Sequence, residues 1–139
     1  MSMRQIKFRG KRTDEGGWIY GSLCNYLFDS ENTTRPCIHI GNKGYIRNGF
    51  YEVYPSTIGQ FTGLTDCNDK EIYEGDIVKA CSEGAYKICE VAWSKGTVGF
   101  FLKHLSGPWY MSGAWGNESC EVIGNIHDTP ELINQLTEV

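Results

Sequence analysis

Two tight turns lie so close together in the run Thr62–Lys79 that only short extended segments fit between them. Asn68-Asp69 falls between Asp66 and Glu71-Ile72-Tyr73, where a turn with left-handed backbone geometry is expected. Short polar side chains tolerate that geometry because they hydrogen-bond locally. Ile72-Tyr73 then reads as a brief β segment, and Glu74-Gly75-Asp76 turns the chain again, with glycine supplying the permissive dihedrals. Ile77-Val78 opens a strand with β-branched residues suited to a pleated, buried surface. A calcium loop does not fit. Asp66 and Asn68 could be its first and third ligands, but Lys70, Glu71 and Ile77 stand where an oxygen ligand, a glycine and a glutamate are needed.

Alternation and turn residues extend this β plan over the whole chain. Arg4 to Arg9 places Ile6 and Phe8 on one face and Gln5, Lys7 and Arg9 on the other, and Trp18 to Tyr26 can return as the second strand of a hairpin. Asp29 to Arg35 reads as a loop and Pro36 to Ile40 as a short strand. Tyr51 to Phe61 is extended, interrupted by Pro55 at an edge or a bend. In the second half, Val78 to Cys81, Tyr86 to Trp93, Val98 to Lys103, Trp109 to Trp115 and Glu121 to His127 are strand-like runs separated by Gly, Ser, Asn and Pro. Short strands at such spacing suggest a small barrel, because closure removes unpaired edges. Cys89, Val91 and Trp93 share one face, and Val98, Phe100 and Leu102 share another; both sets are plausible barrel lining. Asp128-Thr129-Pro130-Glu131 carries the marks of a helix start, and Leu132, Ile133, Leu136 and Val139 form an apolar stripe for one short C-terminal α-helix.

At 139 residues the chain suits one compact folding unit, in which an N-terminal β-rich lobe over 1–60 packs on a barrel over 61–139. The net charge of −4 argues against a general nucleic-acid binder, which needs surplus positive charge to release counterions. Cys24, Cys37, Cys67, Cys81, Cys89 and Cys120 form no C-x-x-C pair and no zinc-ligand spacing, so free thiols in a reducing cytoplasm are expected. Met1 to Gly17 has no apolar core segment, which reads as no signal peptide. The longest apolar stretch, Val98–Leu102, is far too short for a membrane helix.

Four segments give the chain a family look: Gln5-Ile6-Lys7-Phe8-Arg9, Gly59-Gln60-Phe61-Thr62-Gly63-Leu64, Glu71-Ile72-Tyr73-Glu74-Gly75-Asp76-Ile77-Val78, and Glu121-Val122-Ile123-Gly124-Asn125-Ile126 with Pro130-Glu131-Leu132. On these the chain resembles the YopX family, small proteins carried by bacteriophages and by prophages. The Ile-Tyr-Glu-Gly-Asp-Ile-Val string is the specific part, and residues 29–51 match little. Such proteins usually carry glycine where this chain has Asp69. The resemblance implies an SH3-like barrel built from the C-terminal half. It implies no reaction, ligand, cofactor or catalytic residue.

Nothing in the residues recommends catalysis. Glu71, Glu74 and Asp76 group three carboxylates, but turns use such residues to satisfy backbone donors. His39, His104 and His127 are dispersed and pair with no serine or cysteine motif, and Gly41-Asn42-Lys43-Gly44 is too short for a phosphate loop. No cofactor and no metal site is expected. A non-catalytic binding module is the better reading, with two versions. In the first, Trp109 and Tyr110 anchor a host or phage protein; core-facing Trp109, Met111 and Trp115 would explain the same alternation. In the second, Lys7 and Arg9, with Arg4, Lys11 and Arg12, track phosphates beside Tyr20 or Tyr26; the solvated face of a strand would explain that cluster equally. Self-association through edge strands or the C-terminal helix is a third possibility.

Overall fold

The structure, a computed structural model, describes residues 5–14, 17–27, 34–41, 49–82, 84–96, 98–104, 107–109 and 120–132; for 26–27, 82, 85, 104 and 107–109 it describes the backbone alone. The chain is mainly β and forms two compact units, Met1–Phe61 and Thr62–Val139.

The first unit contains β1 (Phe8–Lys11), β2 (Trp18–Leu27), β3 (Thr34–His39) and β4 (Phe50–Glu52), all antiparallel neighbours in chain order. Pro55 ends the extended run as expected, and it does so by bending it. Pro55–Thr57 is a 3-10 turn, after which β5 (Gly59–Thr65) pairs back on β1. A bridge between Arg12 and Val53, with the Tyr54 amide donating to the Lys11 carbonyl, ties the end of β4 to the end of β1. The four strands therefore curl around Ile19, Ile38 and Val53, with Phe8, Tyr51 and Ile58 packed against them. Gly10 makes that curl possible, because a Cβ there would stand 2.9 Å from the Val53 Cβ.

The second unit begins within β5. There Thr62 Oγ1 donates to the Ile72 carbonyl of β6 (Glu71–Tyr73) at 2.8 Å. A five-stranded antiparallel sheet follows, built from β7 (Asp76–Ser82), β8 (Ala85–Ser94), β9 (Gly99–His104), β10 (Gly107–Trp109) and β11 (Cys120–Asn125). Its order is β10-β9-β8-β7-β11. Register explains the core. Val78 faces Cys89 and Val91 faces Leu102, while Cys120 pairs with Ala80. These residues and Ile72 are fully or almost fully buried, with Leu64, Phe100 and Val122 around them. Each such aliphatic side chain contributes about 1.5–3 kcal/mol on burial.

Three expectations need adjustment. The implied barrel is met as five antiparallel strands, but among the described residues the sheet does not close; β10 and β11 are its two edges. The turn residues predict the fourth strand-like run at Trp109 to Trp115; β10 covers Gly107–Trp109, and residues 110–119 lie outside the described ones. The C-terminal helix is not formed among the described residues beyond two helical positions, Glu131 and Leu132, and residues 133–139 lie outside them. Asp128 accepts from the Asn125 side-chain amide at 3.1 Å. The Asn125 side-chain carbonyl accepts from the His127 and Asp128 amides, and Thr129 Oγ1 accepts from the Asn125 amide. A side-chain-closed turn thus leads from β11 to those two positions.

Candidate functional site

In the acidic turn region Asp66 and Asp76 are buried and bonded to backbone amides. Asp66 accepts through Oδ1 from the Asn68 amide at 2.8 Å and the Lys70 amide at 2.9 Å. Its Oδ2 accepts from the Val122 amide of β11 at 2.9 Å. Burial pushes this carboxyl upward, but the three amides, helped by the Lys70 charge, outweigh burial and hold Asp66 below its ordinary value. Asp69 has φ 60, the left-handed geometry expected of the Asn68-Asp69 turn. Gly75, at φ 94, donates its amide to the Val91 carbonyl and accepts from the Ile126 amide. Asp76, also buried, accepts from the Tyr73 amide at 2.7 Å, and Glu71 accepts from the Tyr73 hydroxyl at 3.2 Å. Two of the three clustered carboxylates thus serve the fold. Among the described residues no three His, Cys, Asp or Glu side chains are grouped to hold a metal.

The histidines are separated too. His39 stacks obliquely on Phe50 at 4.4 Å, and His127 lies in the turn after β11. The side chain of His104 is outside the described ones.

Of the basic N-terminal cluster, Arg4 lies outside the described residues, and each of the other four cations lies over an aromatic ring. Lys7 Nζ lies 5.2 Å from the centre of the Phe61 ring, and the buried Arg9 guanidinium lies 4.6 Å from that of Trp18. Lys11 approaches the same Trp18 ring at 5.7 Å, and Arg12 covers Tyr51 at 4.6 Å while pairing with Asp14. Register sets this up, since Lys11 lies opposite Trp18 and Arg9 opposite Tyr20 on the paired strands. Sequence reasoning found the cations but missed Trp18 and Phe61 as their partners. The hairpin register was the available signal.

Trp109 ends β10 opposite Leu102; its side chain and the whole of Tyr110 lie outside the described residues. Exposed aromatics that the structure does describe include Tyr86 at the start of β8 and Trp93 near the end of the β8–β9 hairpin. Trp93 is 46% exposed and Val98 74%. Trp93 meets Phe100 edge-on at 5.2 Å. Val98 has φ 52, an outlying conformation for a β-branched residue. It was expected in the barrel lining with Phe100 and Leu102, yet it sits in the turn ahead of β9. Trp93, grouped with the buried Cys89 and Val91, emerges where the sheet face runs out. Charge is also divided unevenly. The first unit has eight Lys and Arg against five Asp and Glu, and the second has five against twelve.

No helix among the described residues is long and apolar enough to cross a membrane. No curated protein matches the chain. Among solved structures it is similar to the crystal structure of protein EF1440 from Enterococcus faecalis, with 27% identity over 94% of this chain and 99% of that one, at a TM-score of 0.53. The family model described as YopX protein matches residues 7–134, nearly the full length, and the chain belongs to the YopX family.

Proposed function

We propose that this YopX family member is a phage- or prophage-encoded, non-catalytic binding module, whose second unit is an SH3-like barrel presenting the β8–β9 hairpin end to a protein. The strand order supports the fold reading: four strands meander and the last returns beside the first, as in SH3-like barrels. The observation that carries the function is the exposed Trp93, with the strained, exposed Val98 in the turn of the same hairpin. Tryptophan at a protein surface is a frequent interface anchor, and strain that buys no packing is characteristic of sites under functional demand. The excess of acidic residues in the same unit favours a partner with a basic surface. Trp109 and Tyr110 are candidate further anchors. Six free thiols support a reducing compartment, the cytoplasm.

The test is affinity capture from a host lysate with the full chain and with Trp93→Ala. A stoichiometric basic protein retained by the parent, eluted by salt and lost at least tenfold in the variant is the expected result. Equal retention by both chains would overturn the reading. A nucleic-acid role is the second reading, favoured by the basic excess of the first unit. Its binding would fall with salt and with Lys7→Glu or Lys11→Glu. Arg9 is a poor phosphate ligand because it is buried over Trp18.

A further inference from the structure

We propose that Cys24 and Cys37 are an oxidation site that closes a reversible cross-strand disulfide between β2 and β3, with a low-molecular-weight disulfide such as oxidised glutathione as the oxidant. Of the six thiols, these two are direct register partners on adjacent strands. The type of pairing follows from Pro36, which has no amide hydrogen and whose carbonyl accepts from Val53 on the β4 side. Backbone groups at Pro36 therefore face β4, and those of the next residue, Cys37, face β2. That makes Cys24 and Cys37 a hydrogen-bonded pair with Cα atoms about 5.5 Å apart, and the same spacing is about the commonest one for disulfides. Cys24 Sγ already lies 3.8 Å from the Cys37 carbonyl oxygen. The Cys37 thiol donates to the Arg35 carbonyl at 3.2 Å, so closure gives up this bond. It also draws the two strands locally together, because opposite Cβ atoms in such a pair are about 5.5 Å apart, against about 3.8 Å in a disulfide.

Accessibility sets the order of events. Cys24 is partly exposed and Cys37 fully buried. The Cys24 thiolate attacks one sulfur of glutathione disulfide and releases one glutathione thiolate, leaving a mixed disulfide. The Cys37 thiolate then attacks the Cys24 sulfur and releases the second. The pair loses two electrons and two protons, and the reagent becomes two glutathione molecules. Burial raises the Cys24 thiol, so proximity rather than an activated thiolate drives the reaction. Among the described strand pairings no other two cysteines are register partners, although the Cys67 amide does bond to the Cys120 carbonyl. Cys89 and Cys120 belong to β8 and β11, which are separated by β7, and strands two apart are about 9.5 Å from each other, too far to bridge.

The experiment is peptide mapping of the full chain, without reduction, after incubation in glutathione buffers of graded potential. A Cys24–Cys37 linked peptide should form, about 2 Da lighter than the two free thiols, and should vanish on adding dithiothreitol. Oxidation should raise the thermal midpoint of the parent but not of Cys24→Ser, which changes only the partly exposed member. The proposal is overturned if Cys67 and Cys81 take up glutathione while Cys24 and Cys37 stay reduced. It is equally overturned if Cys24 stops at the mixed disulfide.

Discussion

Asp66 shows what a single side chain does when its partners are far away in sequence. It closes its own turn through Asn68 and Lys70, and it holds β11 through Val122, 56 positions along the chain. Asp66→Asn replaces one acceptor oxygen by an NH2 group, which must face an amide donor. Such a mismatch at a buried site costs about 1–3 kcal/mol, measurable as a lower urea midpoint. The pH dependence follows from the depressed carboxyl. A carboxylate with a lower folded than unfolded pKa adds stability that is present above the unfolded value, about 3.9, and is lost as pH falls through the folded one. The parent should therefore lose more stability than Asp66→Asn between pH 5 and acid, and thermal melts of the two should converge. Parallel losses would show that Asp66 is not the titrating group. At Asp69 the left-handed φ of 60 is borne by a residue with a Cβ. Asp69→Gly should stabilise the protein by up to about 1 kcal/mol, less the added freedom of the unfolded chain. The turn itself was legible from Asn68-Asp69. The role of Asp66 was not, because nothing local to a sequence announces a hydrogen bond to a strand 56 residues on.

Strands were easier to read than their ends. Alternation and turn residues place β2, β3, β7, β8 and β11 close to where they lie, because half-buried pleated strands impose a period of two. Where the reading slipped, a local rule competed with a turn. Val98 is β-branched and in phase with Phe100 and Leu102, so it reads as strand, yet the turn after Ser94 runs through it in left-handed geometry. Arg9 alternates with Phe8 and so reads as solvent-facing; its burial over Trp18 required the hairpin partner. The hairpin end yields a two-sided prediction. Val98→Gly removes the Cβ clash of the positive φ and should stabilise the fold by about 1 kcal/mol. If this residue is held for binding, the same change should weaken retention of the captured protein, and melting and capture assays on one variant would separate the two effects. A stabilised variant that binds as well as the parent would make Val98 a mere turn residue.

For the whole molecule, the family string joins turns and strands that are distant in sequence. Tyr73 bonds to Asp76, and Gly75 bonds to β8 and to the residue after β11, which gives this specific sequence a part in the fold. A sequence can show that such a turn exists, but not that the first four strands curl through Arg12 and Val53, because that bridge joins residues 41 apart. Closure of a sheet is likewise a long-range property: strand spacing in the second half suggests a barrel, and the described strands give its five antiparallel members in an open order. Two cores result, one around Ile38 and one around Leu102. Strand β5 runs without a break from one unit into the other, pairing with β1 at its start and lying beside β6 further on. Unfolding either unit alone would strip one half of that strand of its ladder and leave its amides unpaired. We therefore expect a single cooperative transition. Ile38→Ala and Leu102→Ala, each costing about 2–5 kcal/mol, should lower the same midpoint when fluorescence and amide exchange are followed together. Two transitions, each moved by only one of the substitutions, would mean that the units melt independently and that β5 frays at Phe61.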